Sequence, residues 1–122
     1  MDKLFEIELL KEVFDYLKKL NPKHYAKILY NIRRAQVEQD AELFKKLKGE
    51  IWEFRTLFHG LQYRLLAFWD KTTGGIVVVV ATHGFIKKTS KVPEKEIDKA
   101  IAIRRKYFDD KENLKIKNNE NI

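Results

Sequence analysis

Residues 46–93 constrain the fold most, because they contain three strand-like runs in succession, each bordered by basic residues. The run 51–58 is predicted to be a strand with two faces, and 62–69 follows it after a short break. The buried face of 51–58 is formed by Trp52, Phe54, Thr56 and Phe58, and its partly exposed face by Ile51, Glu53, Arg55 and Leu57. The run 76–80 is apolar at every position and mostly β-branched, which is typical of a central strand buried on both faces. The pattern predicts a small sheet that presents Lys and Arg beside aromatic side chains.

The dipeptide His59-Gly60 separates the first two runs and predicts a two-residue hairpin turn, since glycine supplies the positive φ that such turns require. With that turn, Arg55 lies directly across from Arg64 on one face of the sheet. Like charges opposed across two strands are destabilising, whereas a phosphate between two guanidinium groups matches their planar donors. Two interpretations stay open: an anion site at the two arginines, or their neutralisation by Glu53 or another carboxylate.

The net charge of +7 is unevenly distributed along the chain. Residues 1–44 carry eight basic and eight acidic side chains, whereas residues 45–64 carry five and two, and residues 83–106 carry eight and three. The basic excess therefore lies in the strand region and in the segment that follows it. Such segregation indicates a localised anionic partner, and above all RNA. The alternative is a basic surface that serves solubility alone.

Composition narrows the class of protein. A chain of 122 residues with 44% hydrophobic side chains predicts one domain with a modest core. Cysteine is absent, and no histidines or carboxylates have the spacing of metal ligands, so we expect no disulfide, metal or other cofactor. No apolar run is long enough to span a bilayer, and the N-terminus has no secretory pattern. We therefore expect a cytoplasmic protein without a membrane partner.

Helical periodicity appears on both sides of the strand region. It predicts one helix over about residues 9–20 and a second from Pro22 to near Gln39, with Asn21 as the N-cap of the second. These two form a helical hairpin that covers one face of the sheet. Residues 3–8 are either a short first strand or the lead into the first helix. The fold class is therefore α+β.

Pro93 opens a last helix, which buries positions such as Ile97 and Ala100. Residues 109–122 are polar and rich in Asn, so we expect a disordered tail after a single domain over residues 1–108.

Two lysine clusters flank the predicted sheet and can extend the surface around the arginines. Lys87-Lys88 follows the third run, and Lys45-Lys46-Leu47-Lys48 lies in the segment that we interpret as a loop before the first run. His83 ends the buried strand, where it is either a proton carrier near neutral pH or a side chain held by backbone hydrogen bonds.

Six short motifs follow one another in a fixed order through this region. They are Leu47-Lys48-Gly49, Trp52-Glu53-Phe54-Arg55, Tyr63-Arg64, His83-Gly84-Phe85, Lys87-Lys88-Thr89 and Pro93. In this order they resemble the HigB-type toxins of the RelE/ParE superfamily, and the resemblance covers about residues 3–108. Two departures are the short or missing first strand and Ser90, which stands where glutamine is common.

The resemblance implies a small RelE/ParE-like fold, with the helical hairpin packed on a mostly antiparallel three- to four-stranded sheet. It also implies a type II toxin that cleaves mRNA on the ribosome and that is neutralised by a helix-turn-helix, HigA-like antitoxin. By the same resemblance, cleavage is expected to proceed by attack of the ribose 2′-hydroxyl on the adjacent phosphate, without a metal. The rival functions are inhibition of DNA gyrase by a ParE-like toxin and RNA binding without catalysis.

The resemblance and the charge pattern together select nine site residues. Arg55 and Arg64 are expected to grip the phosphate, Lys87 or Lys88 to act as base or acid, and His83 is held in reserve for the same role. We expect further contacts with the RNA from Lys46, Lys48, Thr89 and Lys91.

Overall fold

Helices and strands alternate in an α+β arrangement. The computed structural model describes residues 2–120, apart from the side chain of Glu120. Within that range the elements are β1 (Glu6–Leu9), α1 (Lys11–Lys18), α2 (Pro22–Val37), β2 (Phe44–Lys48), β3 (Ile51–Phe58), β4 (Leu61–Asp70), β5 (Val78–Ile86) and α3 (Glu94–Glu120). Among these residues, none of the helices combines the length and the apolar character needed to cross a membrane.

The sheet is mixed and has five strands in the order β1-β5-β4-β3-β2. β1 runs parallel to β5, and the other three pairs are antiparallel. The predicted three to four strands were therefore too few, since both edges carry a short extra strand. β1 resolves the ambiguity at residues 3–8. β2 was interpreted as a loop because it carries three lysines, which are common on edge strands that must not pair further.

The β3–β4 hairpin confirms the predicted register. Phe58 pairs with Leu61, and the two residues between them have positive φ values, 50° at His59 and 75° at Gly60. This is the backbone of a tight two-residue turn. The turn fixes the pairing along both strands, and it places Arg55 directly opposite Arg64.

Helices α1 and α2 cover one face of the sheet, with α1 against β5 and α2 against β3. Val13, Leu17 and Ile28 are buried there against side chains of β3, β4 and β5. Asn21 caps α2 as predicted, because its Oδ1 accepts a hydrogen bond of 2.9 Å from the backbone N–H of Lys23. Helix α1 is shorter than predicted, since it lacks the flanking residues at both ends of the segment 9–20.

Gly84 permits the close approach of α1 to β5. A Cβ atom at this position would lie 2.6 Å from Leu65 Cδ2 and 2.7 Å from Tyr16 Cδ2, both well inside van der Waals contact. The glycine of the His-Gly-Phe motif therefore has a packing role between sheet and helix.

Helix α3 covers part of the opposite face. Leu66, Phe68 and Val80 are buried beneath Ile97 and Ala100. On the same face, the side chains of Ile51 and Glu53 are buried, with 1% and 3% exposure, although the alternation in β3 predicted them to be partly exposed. The prediction was wrong there because it assigned a covering layer to only one face of the sheet.

Helix α3 also continues through residues 109–120, where we expected disorder; residues 121–122 lie outside the described residues. Its second half is tied to the sheet by Asp70, a fully buried carboxylate at the end of β4. Asp70 Oδ2 accepts hydrogen bonds of 2.6 Å from both Tyr107 Oη and Lys111 Nζ, and its Oδ1 accepts from the hydroxyl and backbone N–H of Thr72. Burial alone would raise the pKa of Asp70, but the hydrogen bonds from Lys111, Thr72 and Tyr107 outweigh it and hold this pKa well below its usual range.

We predict that Asp70→Asn lowers the free energy of unfolding by about 2 kcal/mol at neutral pH, because it removes charge-assisted hydrogen bonds from a buried acceptor. The folded-state pKa is depressed, so this stabilisation is present above the ordinary aspartate pKa of about 4 and is lost as pH falls below it. Urea denaturation at several pH values should show the difference between wild type and variant shrinking in acid.

Asp98→Asn provides the control, since Asp98 is exposed on the same helix. It should change stability by no more than about 0.5 kcal/mol. A loss equal to that of Asp70→Asn, or a difference that does not depend on pH, would contradict the assigned role of Asp70.

Candidate functional site

The part of the sheet that α3 leaves uncovered forms a groove of about 350 Å³. We call it the arginine groove; its walls come from β2, β3, β4, the segment after β5 and the first turn of α3. Its basic lining residues are Lys45, Lys48, Arg55, Arg64, Lys87 and Lys91, and its acidic lining residues are Glu53 and Glu94. Six cations against two carboxylates make the groove strongly positive.

Arg55, Arg64 and Glu53 form the floor of the arginine groove. Glu53 lies between the two arginines, with its Oε1 3.5 Å from Arg55 Nε and its Oε2 3.7 Å from Arg64 Nε. Both Nε–H groups and Glu53 Oε2 are buried without a hydrogen-bond partner among the described residues. The carboxylate therefore screens the two cations without saturating either one. Of the two open interpretations, neutralisation by carboxylates is present but incomplete: Glu53 lies between the arginines, and the exposed Glu42 adds only a long contact, with its Oε2 3.9 Å from Arg55 Nη1.

The two arginines differ in access. The side chain of Arg64 is only 4% exposed, and its guanidinium donates to Gln62 Oε1 at 3.0 Å and to the carbonyl oxygen of Tyr63 at 3.2 Å. Burial lowers the pKa of Arg64, yet an arginine remains a cation at neutral pH. Arg55 has 26% of its side chain exposed. Arg64 is thus a fixed charge in the floor, and Arg55 is the arginine that a ligand can reach.

Lys87 joins this cluster through Gln62. Its Nζ lies 3.5 Å from Gln62 Oε1, and its backbone N–H donates to the carbonyl oxygen of Gln62 at 2.7 Å. One amide oxygen therefore holds both Arg64 and Lys87. Gln62 was not selected from the sequence, although the alternation of β4 places it on the same face as Arg64.

The structure brings together five of the nine selected residues in the arginine groove: Arg55, Arg64, Lys87, Lys48 and Lys91. The other four lie elsewhere. Lys88 and Thr89 are exposed beyond the rim, where the Thr89 hydroxyl donates to the carbonyl oxygen of Lys91 at 2.5 Å. Lys46 lines a different depression, because β2 alternates and bulges between Lys46 and Lys48.

His83 is the fourth residue that lies outside the arginine groove. It is buried beneath the start of α3, with Nδ1 2.9 Å from Thr82 Oγ1 and Nε2 3.4 Å from Glu96 Oε1. Burial and the nearby charge of Lys99 lower the pKa of His83, which favours the neutral ring at neutral pH. The side chains of Thr82 and Glu96 are the partners of His83, and not the backbone groups that one of the two interpretations from the sequence assigned to it.

Lys45 and Glu94 line the arginine groove but were not selected as site residues. Lys45 lies directly opposite Glu53 across β2 and β3. Neighbouring side chains of a strand point to opposite faces. If β2 had been recognised as a strand, Lys45 and Lys46 would therefore have been assigned to different faces of the sheet. Glu94 binds Lys48 at 3.1 Å, which takes up part of the charge that we assigned to RNA. Among residues 2–120, no cluster of three or more His, Cys, Asp or Glu side chains has the arrangement of a metal site.

We predict that Glu53→Gln lowers the free energy of unfolding by about 2 kcal/mol, because the two opposed arginines lose the carboxylate between them. Inorganic phosphate should restore about 1 kcal/mol more in this variant than in the wild type, since an anion can then take the place of the carboxylate. Denaturation in phosphate and in chloride at equal ionic strength measures both effects.

Glu112→Gln, a change at an exposed position of α3, should leave stability and its response to phosphate unchanged. If phosphate stabilised Glu53→Gln no more than the wild type, the floor of the arginine groove would not be an anion site.

The chain matches a known protein family. Residues 15–105, about three quarters of the chain, match the family described as Phage derived protein Gp49-like (DUF891). The match begins within α1, ends within α3 and includes every residue of the arginine groove. None of the curated proteins matches the chain. The chain therefore belongs to the Gp49-like family, which is associated with toxin–antitoxin systems and is related to the RelE-like toxins.

Proposed function

We propose that this chain is the toxin of a type II toxin–antitoxin pair and that it is a HigB-type endoribonuclease, which cleaves mRNA on the ribosome and so inhibits translation. Membership of the Gp49-like family supports the toxin assignment. The cytoplasm is then its place of action, and a helix-turn-helix antitoxin is its protein partner.

The observation that carries the nuclease proposal is the Arg55–Arg64 pair at the floor of the arginine groove. A sheet built for stability alone would not place two arginines opposite each other with a single carboxylate between them. A bridging RNA phosphate relieves that repulsion. Its charge grows as the phosphorus becomes pentacoordinate, so the same cations stabilise the transition state more than the ground state.

The proposed reaction is an internal transfer within the RNA. The ribose 2′-oxygen attacks the adjacent phosphorus, the bond from phosphorus to the 5′-oxygen breaks, and a 2′,3′-cyclic phosphate and a 5′-hydroxyl are formed. One proton leaves the 2′-hydroxyl and one is delivered to the 5′-oxygen. Arg55 contacts the phosphate, Arg64 supplies a fixed positive charge beneath it, and the lysines at the rim, such as Lys45 and Lys91, contact the RNA backbone.

Lys87 is the best-placed group for a proton transfer in this scheme. It shares Gln62 with Arg64, so its amine lies beside the arginine pair. Lys88 was an equal candidate from the sequence, but its side chain is exposed outside the groove lining. His83 is less suitable, since it is enclosed beneath α3. Lys87 and Lys88 therefore form a matched pair for a test, because one lines the groove and the other lies outside it.

We predict that brief expression of the chain in bacteria arrests growth and produces cuts within translated codons, as mapped by primer extension on mRNA. Arg55→Gln and Lys87→Gln should each reduce cutting by about a hundredfold or more, because they remove a phosphate contact and a proton-transfer group, respectively. Lys88→Gln should cut within about twofold of the wild type, because it removes the same charge from a position outside the groove.

The other outcomes identify the rival functions. Growth arrest with intact messages and induced DNA-damage signalling would indicate inhibition of gyrase. RNA association without arrest or cutting would indicate a binding module. Equal effects of Lys87→Gln and Lys88→Gln would show that overall charge, and not the groove, is responsible.

A further inference from the structure

A second basic depression of about 590 Å³ lies at the end of the sheet, away from the arginine pair. It is formed where the β2–β3 turn, the β4–β5 turn and the middle of α3 come together. We call it the tryptophan site; it is defined by Lys46, Trp52, Trp69, Lys71, Arg104 and Phe108. None of these residues takes part in the proposed cleavage.

The aromatic wall of this site is rigid. The rings of Trp52 and Trp69 meet edge to face, with centroids 5.5 Å apart and an interplanar angle of 79°. Phe44 stacks against Trp52 at 5.0 Å and so supports it from behind. Both indoles are nevertheless partly exposed to solvent. Fixed, partly exposed indole rings offer a π surface at little cost in conformational entropy.

The cations of the tryptophan site are not neutralised by ion pairs with carboxylates of the described residues. Among the described residues, Lys46, Lys71 and Arg104 form no ion pair, in contrast to Lys48, which binds Glu94. The Nε–H of Arg104 also has no hydrogen-bond partner in this part of the chain. Within the described lining, Glu50 is the only carboxylate. The site thus carries a net charge of +2.

The cations also lie close to the aromatic rings. Lys71 Nζ is 5.7 Å from the ring centroid of Trp69, and the guanidinium carbon of Arg104 is 5.1 Å from that of Phe108. Indole faces with adjoining cations match the two parts of a nucleotide, because the base stacks on the ring while the phosphate binds the cation.

We propose that the tryptophan site binds single-stranded RNA, with a base against Trp52 or Trp69 and the flanking phosphates on Lys46, Lys71 and Arg104. Strand β2 separates this site from the arginine groove, since Lys45 and Lys48 line the groove while Lys46 lines the tryptophan site. A single RNA strand that crosses β2 would therefore contact both the arginine groove and the tryptophan site. This proposal rests on the proposed function in one respect only, which is that the single-stranded nucleic acid is RNA.

Intrinsic fluorescence tests the proposal directly, because Trp52 and Trp69 are the only two tryptophans of the chain. The probe is a short 2′-O-methyl oligouridine, which cannot be cleaved by attack of its 2′-oxygen. We predict that it quenches the tryptophan emission, and that Arg104→Gln weakens the titration about fivefold. The triple variant Lys46→Gln, Lys71→Gln, Arg104→Gln should reduce the slope of log affinity against log salt by about 2, since each lost phosphate contact removes about 0.7.

Two controls separate this proposal from the proposed function. Arg55→Gln combined with Lys87→Gln should still show quenching, because neither residue lies in the tryptophan site. The triple variant Lys18→Gln, Lys19→Gln, Lys23→Gln has the same loss of charge at exposed positions of the helical hairpin, and it should keep most of the salt slope. Quenching by a chain that fails to cleave mRNA would refute the nuclease proposal and leave this one standing.

Three results would overturn the proposal. One is binding of a labelled oligonucleotide, seen by anisotropy, without any quenching, since the RNA would then be confined to the arginine groove. A second is quenching by polyglutamate but not by the oligonucleotide, which would identify an acidic protein as the ligand. The third is no binding by either readout.

Discussion

The register of the β3–β4 hairpin is the constraint on which the rest of this structure depends. A two-residue turn at His59-Gly60 leaves no freedom in the pairing, and a slip by one residue would turn every side chain of the hairpin to the other face. In the observed register the aromatic residues of β3 face the helical hairpin. Glu53 and Arg55 face the other way, beside Arg64. The same turn thus determines which side chains of the hairpin enter the hydrophobic core and which form the charge cluster.

The two faces of the sheet are covered to different extents, and this difference creates the site. Helices α1 and α2 bury the first face, whereas α3 covers only part of the second. The Asp70 network holds α3 to the sheet end that lies away from the hairpin turn. The remaining surface contains buried charges with incomplete pairing, which cost stability and are tolerated where function requires them. The arginine groove therefore follows from where α3 stops covering the sheet.

The sequence was sufficient for features that depend on local chemistry. It predicted the hairpin, the Asn21 cap and the Arg55–Arg64 pairing, because turn geometry and strand alternation determine them. It was insufficient where distant segments meet. β2 looks like a lysine-rich loop until β3 is available to pair with it, so Lys46 was selected for the site, whereas the structure places Lys45 in the arginine groove. Likewise, the burial of Glu53 and His83 depends on α3, and the contacts of Asp70 with Tyr107 and Lys111, which hold α3 to the sheet, join residues far apart in the sequence.

The central claim is that the Arg55–Arg64 pair receives an RNA phosphate. The most direct measurement is a nitrogen-15 NMR titration of the arginine Nε–H signals with a non-cleavable oligoribonucleotide. We predict a large shift for Arg55, which a ligand can reach, a smaller shift for the buried Arg64 beside it, and no shift for Arg33 on α2; the Nε–H groups of Arg55 and Arg64 have no hydrogen-bond partner among the described residues. If the oligonucleotide bound while the Arg55 and Arg64 signals stayed unchanged, the pair would be an internal charge cluster and the account would be contradicted.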